Sequence, residues 1–161
     1  MTCYCIDAGN WDFELTDHGC KKLLYTDLSV WVNKGSYETP DEFEIELQYP
    51  GTEEWVKKVI KRDTATPIHE GSCAPDGIYG IRITVCQGDV FTKHVAVMCR
   101  LKCRFECLLL KDPTRVDRLS DLQLFIAAAE AEARQNNATE SNRYYMVAKS
   151  ILDRYECDCN C

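Results

Sequence analysis

The sequence predicts an α+β protein, an antiparallel β-sandwich followed by C-terminal helices that form a helical hairpin. Three observations lead there. Through much of the first hundred residues apolar and polar side chains alternate with period two, the mark of strands with one buried face. Pro40, Pro50-Gly51 and Pro75-Asp76-Gly77 punctuate that stretch as links between strands. Beyond Cys99 the apolar spacing changes to three and four residues, the period of an amphipathic helix. The 161 residues thus divide into a β-sandwich domain over 1–98 and a helical region with a cysteine-rich tail over 99–161. A chain of this length can bury roughly 70% of its unfolded surface, so a conventional core is within reach.

Trp11, Phe13 and Leu15 alternate with Asp12 and Glu14 and predict the first strand. Leu23–Val32, rich in Leu, Tyr, Val and Trp, predicts a strand pair or one bent strand. Phe43, Ile45, Leu47 and Tyr49 alternate with Glu44, Glu46 and Gln48, which places the two glutamates on a solvated sheet face. Trp55–Ile60 is a weaker strand with Lys57 and Lys58 outward. Ile78–Cys86 and Val90–Cys99 are β-rich and joined by the short turn Gln87-Gly88-Asp89. Six or so short strands with turn-rich links indicate the antiparallel sandwich.

Arg100–Lys111 contains neither Gly nor Pro and stops at Asp112-Pro113, as a helix should. Thr114–Gln135 carries Leu119, Leu122, Ile126, Ala129 and Ala133 on one stripe. Asn136-Asn137 breaks that helix, and Asn137 with Glu140 stands at capping-box separation. A last helix follows with Tyr144, Ala148, Ile151 and Tyr155 aligned. The stripes of this hairpin must pack on the first helix, on the sandwich or on a neighbouring subunit.

Charge and motif content narrow the function. The formal net charge is −7, with no cluster of Lys and Arg, which opposes binding by phosphate neutralisation. No apolar run approaches the roughly 18 residues of a membrane span, so no membrane partner is expected. His18, His69 and His94 stand in unrelated contexts, without a Gly-x-Ser-x-Gly, His-Glu-x-x-His or Cys/His signature. His94 falls inside a strand and reads as a structural histidine. The sequence therefore predicts no enzyme, and it assigns no catalytic, cofactor-binding or metal-ligating residue and no cofactor.

Eleven cysteines are the most unusual feature. They fall chiefly into three groups: Cys3 and Cys5; Cys99, Cys103 and Cys107; and Cys157, Cys159 and Cys161. Four-residue spacing puts Cys99, Cys103 and Cys107 on one helix face, where thiols pack as small apolar groups. Met1-Thr2-Cys3-Tyr4-Cys5 carries neither the basic nor the apolar region of a secretion signal, so reduced thiols in a cytoplasm are expected. The tail Cys-Asp-Cys-Asn-Cys lacks the two-residue spacer of a zinc ribbon. It leaves open a cysteine-dependent metal-binding module as the alternative function.

Several of these features together look familiar. Leu23-Leu24-Tyr25-Thr26-Asp27-Leu28-Ser29, Pro75-Asp76-Gly77-Ile78-Tyr79-Gly80-Ile81, the thiol-bearing run Cys99–Leu110 and the cysteine-rich C-terminus occur in this order. In that order the chain resembles the small virion proteins of crAss-like and related gut bacteriophages, which pair an N-terminal β-sandwich with cysteine-bearing helices. It departs from them at Asn33-Lys34-Gly35-Ser36, where a Gly-rich loop is usual. The resemblance implies a structural protein of the virion, a ring or adaptor of the head-to-tail connector or tail, through which DNA passes. It implies a homo-oligomeric ring, a dodecamer by analogy with portals, next to the portal or neighbouring ring and tail proteins. Assembly in the bacterial host cytoplasm and non-specific proximity to phage DNA follow. Another tail or baseplate component is the nearest alternative.

Overall fold

A computed structural model describes residues 12–16, 28–33, 42–61, 64, 66–69, 74–84, 90–111 and 120–155. Within them the protein is α+β, with two antiparallel sheets followed by three helices. The strands are β1 (Asp12–Thr16), β2 (Leu28–Asn33), β3 (Glu42–Gln48), β4 (Val56–Lys61), β5 (Thr66–His69), β6 (Gly77–Thr84) and β7 (Val90–Val97). The helices are α1 (Cys99–Lys111), α2 (Ser120–Arg134) and α3 (Ala138–Leu152). One sheet has the order β1-β2-β5 and the other β4-β3-β6-β7. Strand gives way to helix between Val97 and Cys99.

The sequence does not predict β5, for a physical reason. It is four residues long and contains Pro67, which cannot donate to a ladder. Its place at a sheet edge, paired only with β2 among the described residues, tolerates the missing N–H. Leu23–Val32 resolves as β2 from Leu28 onward, and residues 23–27 lie outside the described residues. So do the turn at 87–89 and the segment 112–119.

Alternation decides the core. Ile45, Leu47, Tyr79, Ile81, Ile83 and Val97 bury one face of the four-stranded sheet, and Ile68 of β5 joins the same cluster. The opposite face of β7 meets the helices, because Ala96 packs into the cluster of Leu101, Phe105, Leu122, Ile126, Ala129 and Leu152. Leu122, Ile126, Ala129 and Ala133 are all buried, as their stripe predicts. α2 and α3 approach closely through small side chains. Ser141, fully buried, donates from Oγ to the carbonyl of Ala129 at 2.5 Å, which satisfies the hydroxyl inside the contact.

Two sequence expectations are corrected here. Glu46 does not lie on a solvated face: it is 5% exposed and pairs across the strands with Arg82, whose Nε donates to Glu46 Oε2 at 2.6 Å. A buried carboxylate persists only with such a partner. Asn137 does not form a capping box with Glu140. It occupies the N-cap of α3 without a side-chain cap bond, and its Nδ2 donates to Glu132 Oε2 at 3.0 Å. The chain is held there by the end of α2 instead. Asn136 has φ 60°, its N–H donates to Ala133 O at 2.9 Å and the Asn137 N–H to Glu132 O at 2.9 Å. That is a Schellman ending with asparagine in the left-handed position.

Candidate functional site

Pro75-Asp76-Gly77-Ile78-Tyr79-Gly80 organises one end of the molecule. Helix α1 begins after Met98, whose thioether is too weak an acceptor to cap the first-turn amides. Asp76, from the segment before β6, supplies the missing cap: Oδ1 accepts from the Arg100 N–H at 3.1 Å and Oδ2 from the Leu101 N–H at 2.7 Å. Burial pushes the Asp76 carboxyl up from its ordinary value. The two amide hydrogen bonds and the charges of Arg100 and Arg104 oppose that rise. Asp76→Ala should cost about 1.5–2 kcal/mol, the upper part of the 0.5–2 range for lost caps, because both amides lose their acceptor. Asp76→Asn, which retains one acceptor oxygen, should cost less. Urea denaturation of the two variants checks the order.

Tyr79 is locked by its neighbours. Its hydroxyl donates to Pro75 O at 2.6 Å, and its ring meets Tyr49 edge-on at 5.9 Å between centroids. The Tyr49 hydroxyl in turn donates to Ile68 O at 2.8 Å and ties the two sheets. Burial raises both phenols above their ordinary value. Gly80 is required by what lies beside it: a Cβ there would stand 2.9 Å from the Trp55 ring and 3.3 Å from the His94 ring. Trp55 also carries the Arg82 guanidinium 4.2 Å above its ring centroid.

Gln48, Gly80 and His94 form one lateral row across β3, β6 and β7. Beside it a cleft of about 690 Å³ opens between the Tyr49–Glu53 connection, the Pro75–Ile78 segment and α3. Pro50, Pro75, Ile78 and Met146 supply apolar wall, and Gln48, His94, Asn142 and Tyr145 supply polar groups. Tyr145 projects from α3, and burial, followed by the charges of Asp76 and Asp153, pushes its phenol up to about 12. Lys149, on the same side of α3, donates to Asp153 Oδ2 at 2.9 Å. That bond is the leading cause of a lowered Asp153 carboxyl, and Arg104 adds to it at 3.0 Å.

His94 Nδ1 donates to Asn136 Oδ1 at 3.4 Å, so its partner is an amide and not a carboxylate. Burial lowers its ring below the ordinary 6.5, against the raising effect of Asn136. The unfolded chain therefore holds more protons than the folded one between the folded value and 6.5. Stability should rise with pH through that window and fall as pH drops below 6.5. A smaller urea midpoint near pH 5.5 than near pH 7.5, with the difference reduced in His94→Gln, is the expected result. His69 lies on β5, away from the cleft lining, and His18 lies outside the described residues.

The cysteines depart from expectation. Cys99 is buried but Cys103 and Cys107 are only half-buried, since the face that α1 packs on the other helices carries Leu101, Phe105 and Leu108. All three cysteines are disulfide-bonded rather than reduced. Three is odd, so at least one bonds to a cysteine outside α1. The other eight of the eleven cysteines, including Cys3, Cys5, Cys157, Cys159 and Cys161, all lie outside the described residues. A disulfide sulfur has lost the thiolate that holds zinc, which withdraws the α1 cysteines from the metal-binding alternative. Among the described residues no group of three or more His, Cys, Asp or Glu is placed to hold a metal ion.

Sequence reading singles out none of the cleft residues as functional, because they come from β3, β6, β7 and α3 and only the fold collects them. The one available signal was Pro-Asp-Gly, where an acid precedes a glycine far in sequence from the helix it caps. No helix among the described residues is long and apolar enough to cross a membrane. No protein-family model matches the chain, and no curated protein or solved structure matches it either.

Proposed function

We propose that the chain is a non-enzymatic structural protein of a bacteriophage virion, a homo-oligomeric ring of the head-to-tail connector or tail. In this reading the two sheets form a β-sandwich, and α2 with α3 forms a helical hairpin on its flank. The ring is a dodecamer by resemblance alone, contacts the portal or neighbouring ring and tail proteins, and lets DNA pass. The observation that carries the reading is the pair of strands β4 and β7 at opposite edges of the four-stranded sheet, with Val56, Val59 and Val90 exposed along them. Neighbours in this sheet are antiparallel throughout, so β4 and β7 run in opposite directions. Head-to-tail repetition would set β7 of one copy antiparallel to β4 of the next, and a heterologous contact of this kind closes a ring when the rotation fits. Lys57, Lys58 and Lys61 on β4 discourage indiscriminate edge pairing.

The hairpin stripe does not serve as the subunit contact. Leu122, Ile126, Ala148 and Leu152 are buried against Met98, Leu101, Phe105 and Leu108 of the same chain, so the contact passes to other surfaces. Leu110, Leu124, Met146 and Val147 are the large apolar side chains on the described helices that remain exposed, Leu110 and Leu124 the most at 85% and 67%. Virion localisation also accommodates the disulfides, which form once particles leave a reducing cytoplasm. Imaging of intact particles, with native mass measurement of the purified chain, tests the proposal. A closed ring on the particle axis is expected. Single copies scattered over a capsid, or a monomer with no place in a particle, would overturn it.

A further inference from the structure

We propose that the cleft between the β3–β4 connection and α3 binds a neutral saccharide, held by Tyr145, His94, Asn142 and Gln48 against an apolar wall of prolines. This inference goes beyond the virion assignment and does not depend on it. The volume of about 690 Å³ lies within the roughly 300–1,000 Å³ of small-ligand sites. Chemistry then selects the ligand. Among the described residues the Tyr145 hydroxyl and the side-chain amides of Asn142 and Gln48 have no hydrogen-bond partner. Each of those groups can both donate and accept. With Nδ1–H committed to Asn136, the neutral His94 ring offers Nε2 as an acceptor. Groups of this kind match hydroxyls, which also donate and accept from one atom.

Charge points the same way. His94 is held neutral by burial, and the Tyr145 phenol stays protonated across the physiological range. Lys149 is already paired with Asp153 and the Asp76 carboxylate already caps α1, which leaves Glu53 as the one other charged side chain of the lining. A phosphate or carboxylate ligand would find no unpaired cation there. Pro50, Pro75 and Met146 offer the rigid and apolar surface that the C–H face of a sugar ring covers.

Titration calorimetry and saturation-transfer NMR of the full chain test the assignment. The probes are maltotriose, cellotriose, mannotriose and triacetylchitotriose, with trialanine as the peptide control. At least one trisaccharide is expected to bind with a Kd of about 1 mM or tighter, and trialanine is not. Tyr145→Phe keeps the ring in its packed place and should weaken binding about tenfold, the worth of one well-placed hydrogen bond. Asn142→Ala, at an exposed position, should do the same with an unchanged thermal midpoint and keeps the test valid if Tyr145→Phe perturbs folding. Thr139→Trp, an exposed lining residue, should fill the cleft and abolish binding. The proposal is overturned if no trisaccharide binds, if trialanine binds in their place, or if binding persists in both Asn142→Ala and Thr139→Trp.

Discussion

Gly77→Ala is expected to destabilise the protein by about 3 kcal/mol, the sum of a backbone and a packing cost. Gly77 has φ 140°, where an L-residue is strained by about 1–3 kcal/mol. A Cβ there would also stand 2.5 Å from Pro50 Cβ and 2.9 Å from Pro50 Cγ, and a rigid ring cannot retreat by rotation. Overpacking of that kind costs about 1–3 kcal/mol. Gly51→Ala separates the two terms, because Gly51 has φ 80° and nothing within 4 Å of the added carbon. It should cost about 1–2 kcal/mol, the left-handed penalty alone. Equal losses of stability in the two variants would show that contact with Pro50 contributes nothing. The larger loss matters for the cleft as well, since Pro50 and Gly77 both line it.

Reduction should have the greatest effect of all. Three disulfide-bonded cysteines on α1 require at least two bridges, and each typically contributes about 2–4 kcal/mol. Two such bridges together approach the total stability of a typical domain, about 5–15 kcal/mol. The oxidised chain, denatured and alkylated, should leave Cys99, Cys103 and Cys107 unlabelled by mass spectrometry. Prior reduction should label all three and lower the thermal midpoint sharply. Full labelling of the three without a reductant would refute the bridges. The experiment also reports the compartment, since bridges of this kind persist where the surroundings are oxidising.

Much of the architecture was determined by the sequence alone, through local and periodic effects. Period-two alternation placed β1 and β3, β-rich composition around a turn placed β6 and β7, and the lack of Gly and Pro placed α1. Three-and-four spacing placed α2 with the buried face observed, and α3 with only Ala148 of its expected stripe buried, beside Ser141 and Leu152. Those patterns are legible because each residue's burial follows from its own element's geometry. Only the tertiary structure decided the rest, where a side chain's role depends on a partner distant in the chain. Glu46 has the sequence pattern of a solvent-facing strand residue, yet it is buried because Arg82, 36 positions later, meets it across the sheet. Asp76 looks like a turn residue and caps a helix that starts more than twenty positions on. Cys99, Cys103 and Cys107 present the same spacing whether reduced or bridged, because disulfide pairing depends on which cysteines meet in space and not on their order. The cleft follows the same rule: Gln48, His94 and Tyr145 lie on three separate elements, and only the packing of α3 beside the sheet brings their polar groups to one opening.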